Sequence, residues 1–264
     1  MMSILQTRTC TTRKGIAFEV REQGEGPPLV FLHGLTGLLD EEPLIDALAE
    51  NFHVYAPVWP GFGAEEGELA IEDMLDFTLH GLDVLDALEV DRPILVGHSF
   101  GGMIAAEMAC LQNDRFDRVV LLSPFGLWID ADPIADAFAT LAFDLPPMFF
   151  ADPEAGQRVL AAGLDFSNNE ALTNFMVANA RRMGTAGKVL FPVPNRRVSK
   201  RLYRMTADAL VVWGAEDKLI PPVYGSHWER ALPSARSVEI PGAAHMLTCE
   251  RPAEVAEAIS KFLT

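Results

Sequence analysis

Residues 97–101 read Gly-His-Ser-Phe-Gly, a serine set between glycines. A serine hydroxyl is a weak nucleophile at neutral pH, and it needs a base to take its proton during attack. Glycines on either side remove the Cβ atoms that would crowd a tight turn, so the hydroxyl stands clear of the backbone. If Ser99 attacks a carbonyl, it needs a histidine as base and a carboxylate to hold that histidine in the right tautomer. Two later segments offer them, Gly214-Ala-Glu-Asp217 and Pro241-Gly-Ala-Ala-His245. The chemistry this predicts is acyl transfer, with Ser99 as nucleophile, His245 as base and Asp217 as its orienting acid. Glu216 is adjacent to Asp217, and one residue of loop register would exchange them. The developing oxyanion needs donors aimed at it. The Phe100 N–H, at the start of the segment after the serine, is one candidate, because a helix N-terminus has unpaired N–H groups.

These groups act together only if rigid elements hold them. Pro93-Ile-Leu-Val96 reads as a short buried strand before the turn, and Met103–Ala109 as a helix after it. Apolar runs at 29–32, 119–122 and 209–214 read as further strands, as do 53–57 and 237–240, with residues 15–22 as an opening strand. Helical spacing covers 40–51, 69–89 and about 251–263. Strands alternating with helices imply a parallel sheet with right-handed crossovers. The alternation stops after Gly126. Roughly residues 127–206 lack a convincing strand and hold helical stretches at about 133–144, 153–163, 169–183 and 196–205. Asp152-Pro153 has the form of a helix start, with Asp as N-cap and Pro at the first position. The expected organisation is a core of residues 1–126 and 207–264, with a helical cap, 127–206, inserted in it.

The serine, acid and histidine occur in the chain order Ser99, Asp217, His245. His33-Gly34 follows the strand at 29–32, and Pro60-Gly-Phe-Gly63 follows the strand at 53–57. With Trp213-Gly-Ala-Glu-Asp217-Lys-Leu-Ile-Pro221, these pieces resemble the α/β-hydrolase fold family along nearly the whole chain. The resemblance implies an α/β fold: a mostly parallel twisted sheet flanked by helices, with a helical lid above the nucleophile. It favours Asp217, four residues before Pro221, over Glu216. It implies a second oxyanion donor in the loop after the 29–32 strand, where Leu35 follows His33-Gly34. His33 is expected to be structural, and His98 to pack beside the elbow. His53 starts a strand, and His227 falls on a surface helix. His80 shares a helix face with Asp73, Asp76 and Asp83 and is expected to be exposed. These histidines lack metal-ligand spacing, so no metal and no cofactor is expected.

Composition narrows the partners. The formal charge is −16 and the sequence pI about 4.7. That argues against nucleic acid and gives no encouragement for an anionic membrane surface. Cys10, Cys110 and Cys249 make no disulfide framework. No secretory leader or 18-residue apolar stretch is visible. The expectation is a cytoplasmic protein, monomer or homodimer, acting on a small molecule. Trp59, Trp128, Phe149 and Met246 are the candidate pocket residues, the two tryptophans because they follow strands at the carboxyl edge of the sheet. Arg181-Arg182 and Arg196-Arg197 are expected to be solvated, with binding of a substrate carboxylate as the alternative.

The function these readings support is a serine hydrolase cleaving small to medium apolar carboxylic esters through an acyl-enzyme. Carbon–carbon bond hydrolysis of ring-cleavage products is a second reading. It is lowered by Met246, since family members of that type often carry Trp after the catalytic His. Perhydrolase or haloperoxidase-like activity, and a small-molecule receptor, stand as further readings. Dehalogenases and epoxide hydrolases of this fold use a carboxylate nucleophile, which Ser99 argues against.

Overall fold

Successive strand residues point to opposite faces, so continuous apolar runs imply strands covered on both sides. In the computed structural model, which describes residues 5–193 and 198–264, those runs form the middle of an eight-stranded sheet. The strands are β1 (Gln6–Thr11), β2 (Ala17–Gln23), β3 (Pro28–Leu32), β4 (His53–Pro57), β5 (Ile94–His98), β6 (Arg118–Leu122), β7 (Asp208–Gly214) and β8 (Ala235–Ile240). Their order across the sheet is β1-β2-β4-β3-β5-β6-β7-β8. β2 pairs antiparallel with β1 and β4, and every pairing from β4 to β8 is parallel.

The helices are α1 (Pro43–Leu48), α2 (Met74–Ala87), α3 (Phe100–Leu111), α4 (Pro146–Phe149), α5 (Pro153–Ala161), α6 (Asn169–Leu190), α7 (Val223–Ala231), α8 (Leu247–Glu250) and α9 (Pro252–Leu263). The alternation of side chains splits the core in two. Val30, Leu95, Val119 and Val211 pack under Leu85 of α2, Ile104 of α3 and Trp228 of α7. Leu29, Val96, Val120 and Val212 pack on the opposite face against Leu48 of α1 and Ile259 of α9. No helix among the described residues is long and apolar enough to cross a membrane.

Three elements differ from the sequence expectation. β1 precedes the expected opening strand and pairs with it as a hairpin. Its residues, Gln-Thr-Arg-Thr-Cys-Thr, are mostly exposed at the sheet edge, so no apolar alternation marks it. α2 starts at Met74 rather than 69, because the Asp73 carboxylate accepts the N–H groups of Leu75 and Asp76 as an N-cap. α6 runs past its expected end at 183 through Gly184 and Gly187. Thr185, Ala186, Val189 and Leu190 are buried there, and packing overrides the low helix propensity of glycine.

Between β6 and β7 the described residues contain helices and turns but no strand. The stretch at 133–144 forms two 3-10 turns, Ala137–Ala139 and Ala142–Asp144, rather than a helix. The stretch at 196–205 forms 3-10 turns at Val198–Lys200 and Leu202–Arg204, its first two residues lying outside the described ones. α5 begins where expected, with Asp152 capping the N–H groups of Glu154 and Ala155.

Candidate active site

The carboxyl ends of β3, β5, β7 and β8 converge on one place. β5 ends at His98 and α3 begins at Phe100, so Ser99 alone turns the chain, at φ +59° and ψ −123°. Such a backbone is held against its strain, about 1–3 kcal/mol for a residue of this kind, only by its surroundings. Here the Ser99 N–H donates to the Leu122 carbonyl at 2.8 Å, and the Ser99 carbonyl accepts from the Phe125 N–H at 3.1 Å. Gly101 is required by close approach. A Cβ there would run into the carbonyl oxygens of Leu32 and His33 at the end of β3.

Two loops complete the arrangement. The Ser99 hydroxyl lies 2.8 Å from His245 Nε2, and His245 Nδ1 lies 2.8 Å from Asp217 Oδ2. A carboxylate only accepts, so Nδ1 carries the proton and Nε2 is free to receive the one on Ser99. The other oxygen of Asp217 accepts the N–H groups of Leu219 and Ile220, each at 2.9 Å. These two bonds fix which acid faces the histidine, and Glu216 points outward and is exposed. Ser99 and His245 are 0% exposed and Asp217 5%. The arrangement can pass a proton from Ser99 to His245 while Asp217 steadies the imidazolium that results.

Beside it lies the loop after β3. A Cβ at Gly34 would fall 2.7 Å from Ser99 Cβ, so this backbone passes directly against the serine. The Leu35 N–H makes no hydrogen bond among the described residues, and the Phe100 N–H opens α3 without a preceding turn to bond. Both expected oxyanion donors are therefore unspent. His33 is structural: its ring bonds the Gly34 carbonyl at 2.9 Å, and its Nε2 accepts the Trp59 N–H at 3.0 Å. Burial pushes its pKa down to about 3, which keeps it neutral.

The four candidate pocket residues separate. Phe149 closes over the site, its ring centroid 5.6 Å from that of His245. It also borders a cavity of about 40 Å³ with Leu35, Leu145, Asn179, Arg182 and Met183. Met246 is buried but does not line that cavity; its N–H donates to the Phe149 carbonyl at 2.9 Å, and its sulfur lies 3.9 Å from Thr36 Oγ1. Trp59 does not line this cavity. It packs in the core edge-on to Phe77 and donates its indole N–H to the His33 carbonyl at 3.3 Å, on the α2 side of the sheet. Trp128 is half-buried and donates to Asp130 at 2.7 Å, away from the cavity.

Two further expectations are corrected. His80 is buried, set against Phe18 and Trp59, because the interior side of α2 includes that position. Arg181 and Arg182 are half-buried and bonded within the chain rather than standing free in solvent. Arg181 forks onto Glu68 at 2.6 and 2.8 Å and onto the carbonyls of Gly63 and Glu65. Arg182 turns toward the cavity and donates to the Thr36 carbonyl at 2.8 Å, and its Nε is buried with no partner among the described residues. Arg196 and Arg197 lie outside the described residues. Asn179 and Met183 line the cavity without being expected there, whereas Arg182 is expected near substrate only as the alternative. Their spacing with Phe175 puts all four on one face of α6, a signal the sequence carried.

A mostly parallel sheet that presents Ser99, Asp217 and His245 in this chain order defines a hydrolase with a serine nucleophile. Residues 29–258 match the alpha/beta hydrolase family, and the chain belongs to it. It is 28% identical over 220 residues to the 2-hydroxymuconate semialdehyde hydrolase of Pseudomonas sp. (strain CF600), covering 78% of this chain and 76% of that protein. It is 27% identical over 254 residues to haloalkane dehalogenase 2 of Mycobacterium tuberculosis, covering 90% and 88%. Naproxen esterase (carboxylesterase NP) from Bacillus subtilis shares the fold, with a TM-score of 0.72 at 19% identity, covering 99% of this chain and 92% of that one.

Proposed function

We propose that the protein cleaves small to medium apolar carboxylic esters through an acyl-enzyme on Ser99. The unbroken hydrogen-bond chain from Ser99 through His245 to Asp217 carries this reading. Ser99 Oγ adds to the ester carbonyl as its proton passes to His245 Nε2. The oxyanion takes the N–H groups of Leu35 and Phe100. Collapse expels the alcohol oxygen, which leaves with the proton from His245. Water then gives a proton to His245 and attacks the acyl group, releasing the acid and restoring Ser99. Leu35, Leu145, Phe149 and Met183 make the cavity apolar. Since Ser99 is buried, the helical segment over it must shift for substrate to enter. The test is multiple-turnover hydrolysis of short p-nitrophenyl esters, expected in the native protein and lost in Ser99→Ala. Full activity in that variant ends the proposal.

One observation favours a second reading. The Arg182 guanidinium beside the Leu35 loop, bonded to Thr36 but with a buried Nε that has no partner among the described residues, suits a substrate that carries a carboxylate. Carbon–carbon bond hydrolysis of a 2-hydroxy-6-oxo-dienoate would use that cation, and the relative named for 2-hydroxymuconate semialdehyde gives it weight. Turnover of such a dienoate, with no turnover of simple esters, would put this reading first.

A further inference from the structure

The histidine before the nucleophile takes no part in the steps above, yet few side chains are as constrained. His98 closes β5 and is 3% exposed. Its Nε2 lies 2.8 Å from the backbone carbonyl of His245. A carbonyl only accepts, so Nε2 bears the proton and His98 is the donor. The two rings are 5.2 Å apart and tilted by 39°. On the other side, a Cβ at Gly34 would fall 3.0 Å from His98 Nδ1. One side chain therefore meets the nucleophile's strand, the loop of Leu35 and the loop of His245.

The bonds of that last loop show what His98 adds. The Ala243 carbonyl accepts from the Glu216 N–H at 2.9 Å, which ties the His245 loop to the Asp217 loop. The Ala244 N–H donates to Glu250 at 2.7 Å, and the Met246 N–H to the Phe149 carbonyl at 2.9 Å. These bonds hold the loop to its acid partner, to α8 and to α4. The bond from His98 instead ties the backbone of His245 itself to the element that carries Ser99.

We propose that His98 is a positioning residue whose Nε2–H, bonded to the His245 carbonyl, sets the distance between base and nucleophile during proton transfer. The proposal rests on the serine-hydrolase reading above. A tether of this kind must not itself become a cation, because a second positive ring would oppose the charge arising on His245. Burial, and then the nearness of His245, push the His98 pKa down to about 3, so the tether stays neutral while His245 works. If His98 served only to fill space, an apolar side chain of similar bulk would replace it.

Two variants separate these roles. His98→Leu keeps bulk and removes the donor, and His98→Gln keeps an N–H at similar reach. On a p-nitrophenyl ester, His98→Leu should lose about tenfold to a hundredfold in kcat, the scale of a misplaced catalytic group. KM should stay within about twofold, since substrate contacts are untouched. His98→Gln should recover most of the loss. The downfield proton resonance of His245 Nδ1–H should shift in the Leu variant and hold in the Gln variant. A Leu variant with native kcat and resonance, or a Gln variant as poor as Leu, overturns the proposal. Should the Leu variant fail to fold, ¹⁵N-histidine spectra of the native protein decide. They must show His98 with its proton on Nε2 and no titration between about pH 5 and 8. The opposite tautomer, or a titrating ring, also overturns it. Hydrolysis surviving in Ser99→Ala would instead sink the serine-hydrolase reading, and the tautomer of His98 would still be read directly.

Discussion

The floor and the roof of the site treat polar groups in opposite ways. In the floor, at the ends of β3, β5, β7 and β8, the polar side chains are partnered within the chain, while the Leu35 and Phe100 N–H groups have no partner among the described residues. Ser99 bonds His245, His245 bonds Asp217, Asp217 takes two more N–H groups, and His33 and His98 bond loop backbone. The roof contains two adjacent arginines on α6 with different fates. Arg181 is spent on Glu68 and two carbonyls, whereas Arg182 gives one bond to Thr36 and leaves its buried Nε empty. A buried charge without a partner is costly to keep, so a protein retains one where something else completes it. The floor's side-chain hydrogen bonds are in place before substrate arrives. On the carboxylate reading proposed above, the substrate would complete the roof.

The largest effect should come from spoiling the floor. Asp217→Asn keeps the shape but presents an amide, which cannot hold His245 with its proton on Nδ1. On the proposed ester substrates kcat should fall by about 10²- to 10⁴-fold, the range for a lost triad acid. Steady-state kinetics with unchanged circular dichroism checks this, and a loss under about tenfold would mean that the floor is not organised around Asp217. Arg182→Met probes the roof. Turnover of a carboxylate-bearing substrate should fall by about a hundredfold, the scale of a desolvated charged hydrogen bond. Turnover of a neutral ester should stay within about threefold. Equal losses on both substrates would show that Arg182 serves the loop through Thr36 and not the substrate.

Glu42 is a weak member of the floor, just beyond the Leu35 loop. It is 9% exposed, and its carboxylate accepts the Leu39 N–H at 2.8 Å. Burial raises its pKa from 4.5 to about 7. The folded state thus prefers the protonated acid. The stability this contributes is full below pH 4.5 and is lost as pH rises through about 7. Glu42→Gln should match the native protein at pH 4 and exceed its stability at pH 8, by up to about 3 kcal/mol. Denaturant midpoints at the two pH values check both the sign and the window.

The floor was legible in the sequence and the roof was not, for physical reasons. Ser99 sits between glycines, Asp217 follows the apolar run of β7, and His245 follows β8 at the sheet edge. Strand ends are set by local patterning, so reading them places the chemistry. The Leu35 donor is what the family resemblance implies and Phe100 follows from the helix start; the N–H of each is without a partner among the described residues. The candidates fixed by tertiary packing fared differently. Trp59 and Trp128 lie at strand ends as expected, but which side of the sheet a large ring enters depends on neighbours distant in sequence. Arg181 and Arg182 look alike in sequence, and only Glu68, more than a hundred residues away, distinguishes them. The stretch at 133–144 fails as a helix although its residues are suited to one. Asp136 instead caps the short turn at Phe138 and Ala139.

The smallest effect separates a completed interior from one with a flaw left in it. His80 is 2% exposed, and neither ring nitrogen has a partner among the described residues. It packs against Phe18 and Trp59 and takes no part in the proposed mechanism. Leaving a buried polar group unpaired costs about 1–3 kcal/mol. Burial, helped by Lys14, pushes its pKa from 6.5 to about 4. The folded state therefore prefers the neutral ring. The stability tied to that preference is present above pH 6.5 and is lost as pH falls toward 4, at about 1.4 kcal/mol per pH unit for one proton. His80→Leu should be more stable than the native protein by about 1 kcal/mol at pH 7.5, with the gap widening at pH 5. His33 and His98 titrate in the same direction in both proteins, so they cancel in the difference. Urea midpoints at the two pH values, with ester turnover unchanged, check it. A gap that does not grow at pH 5 would mean that the ring of His80 has found a proton partner, and that the interior beneath the floor is as complete as the floor itself.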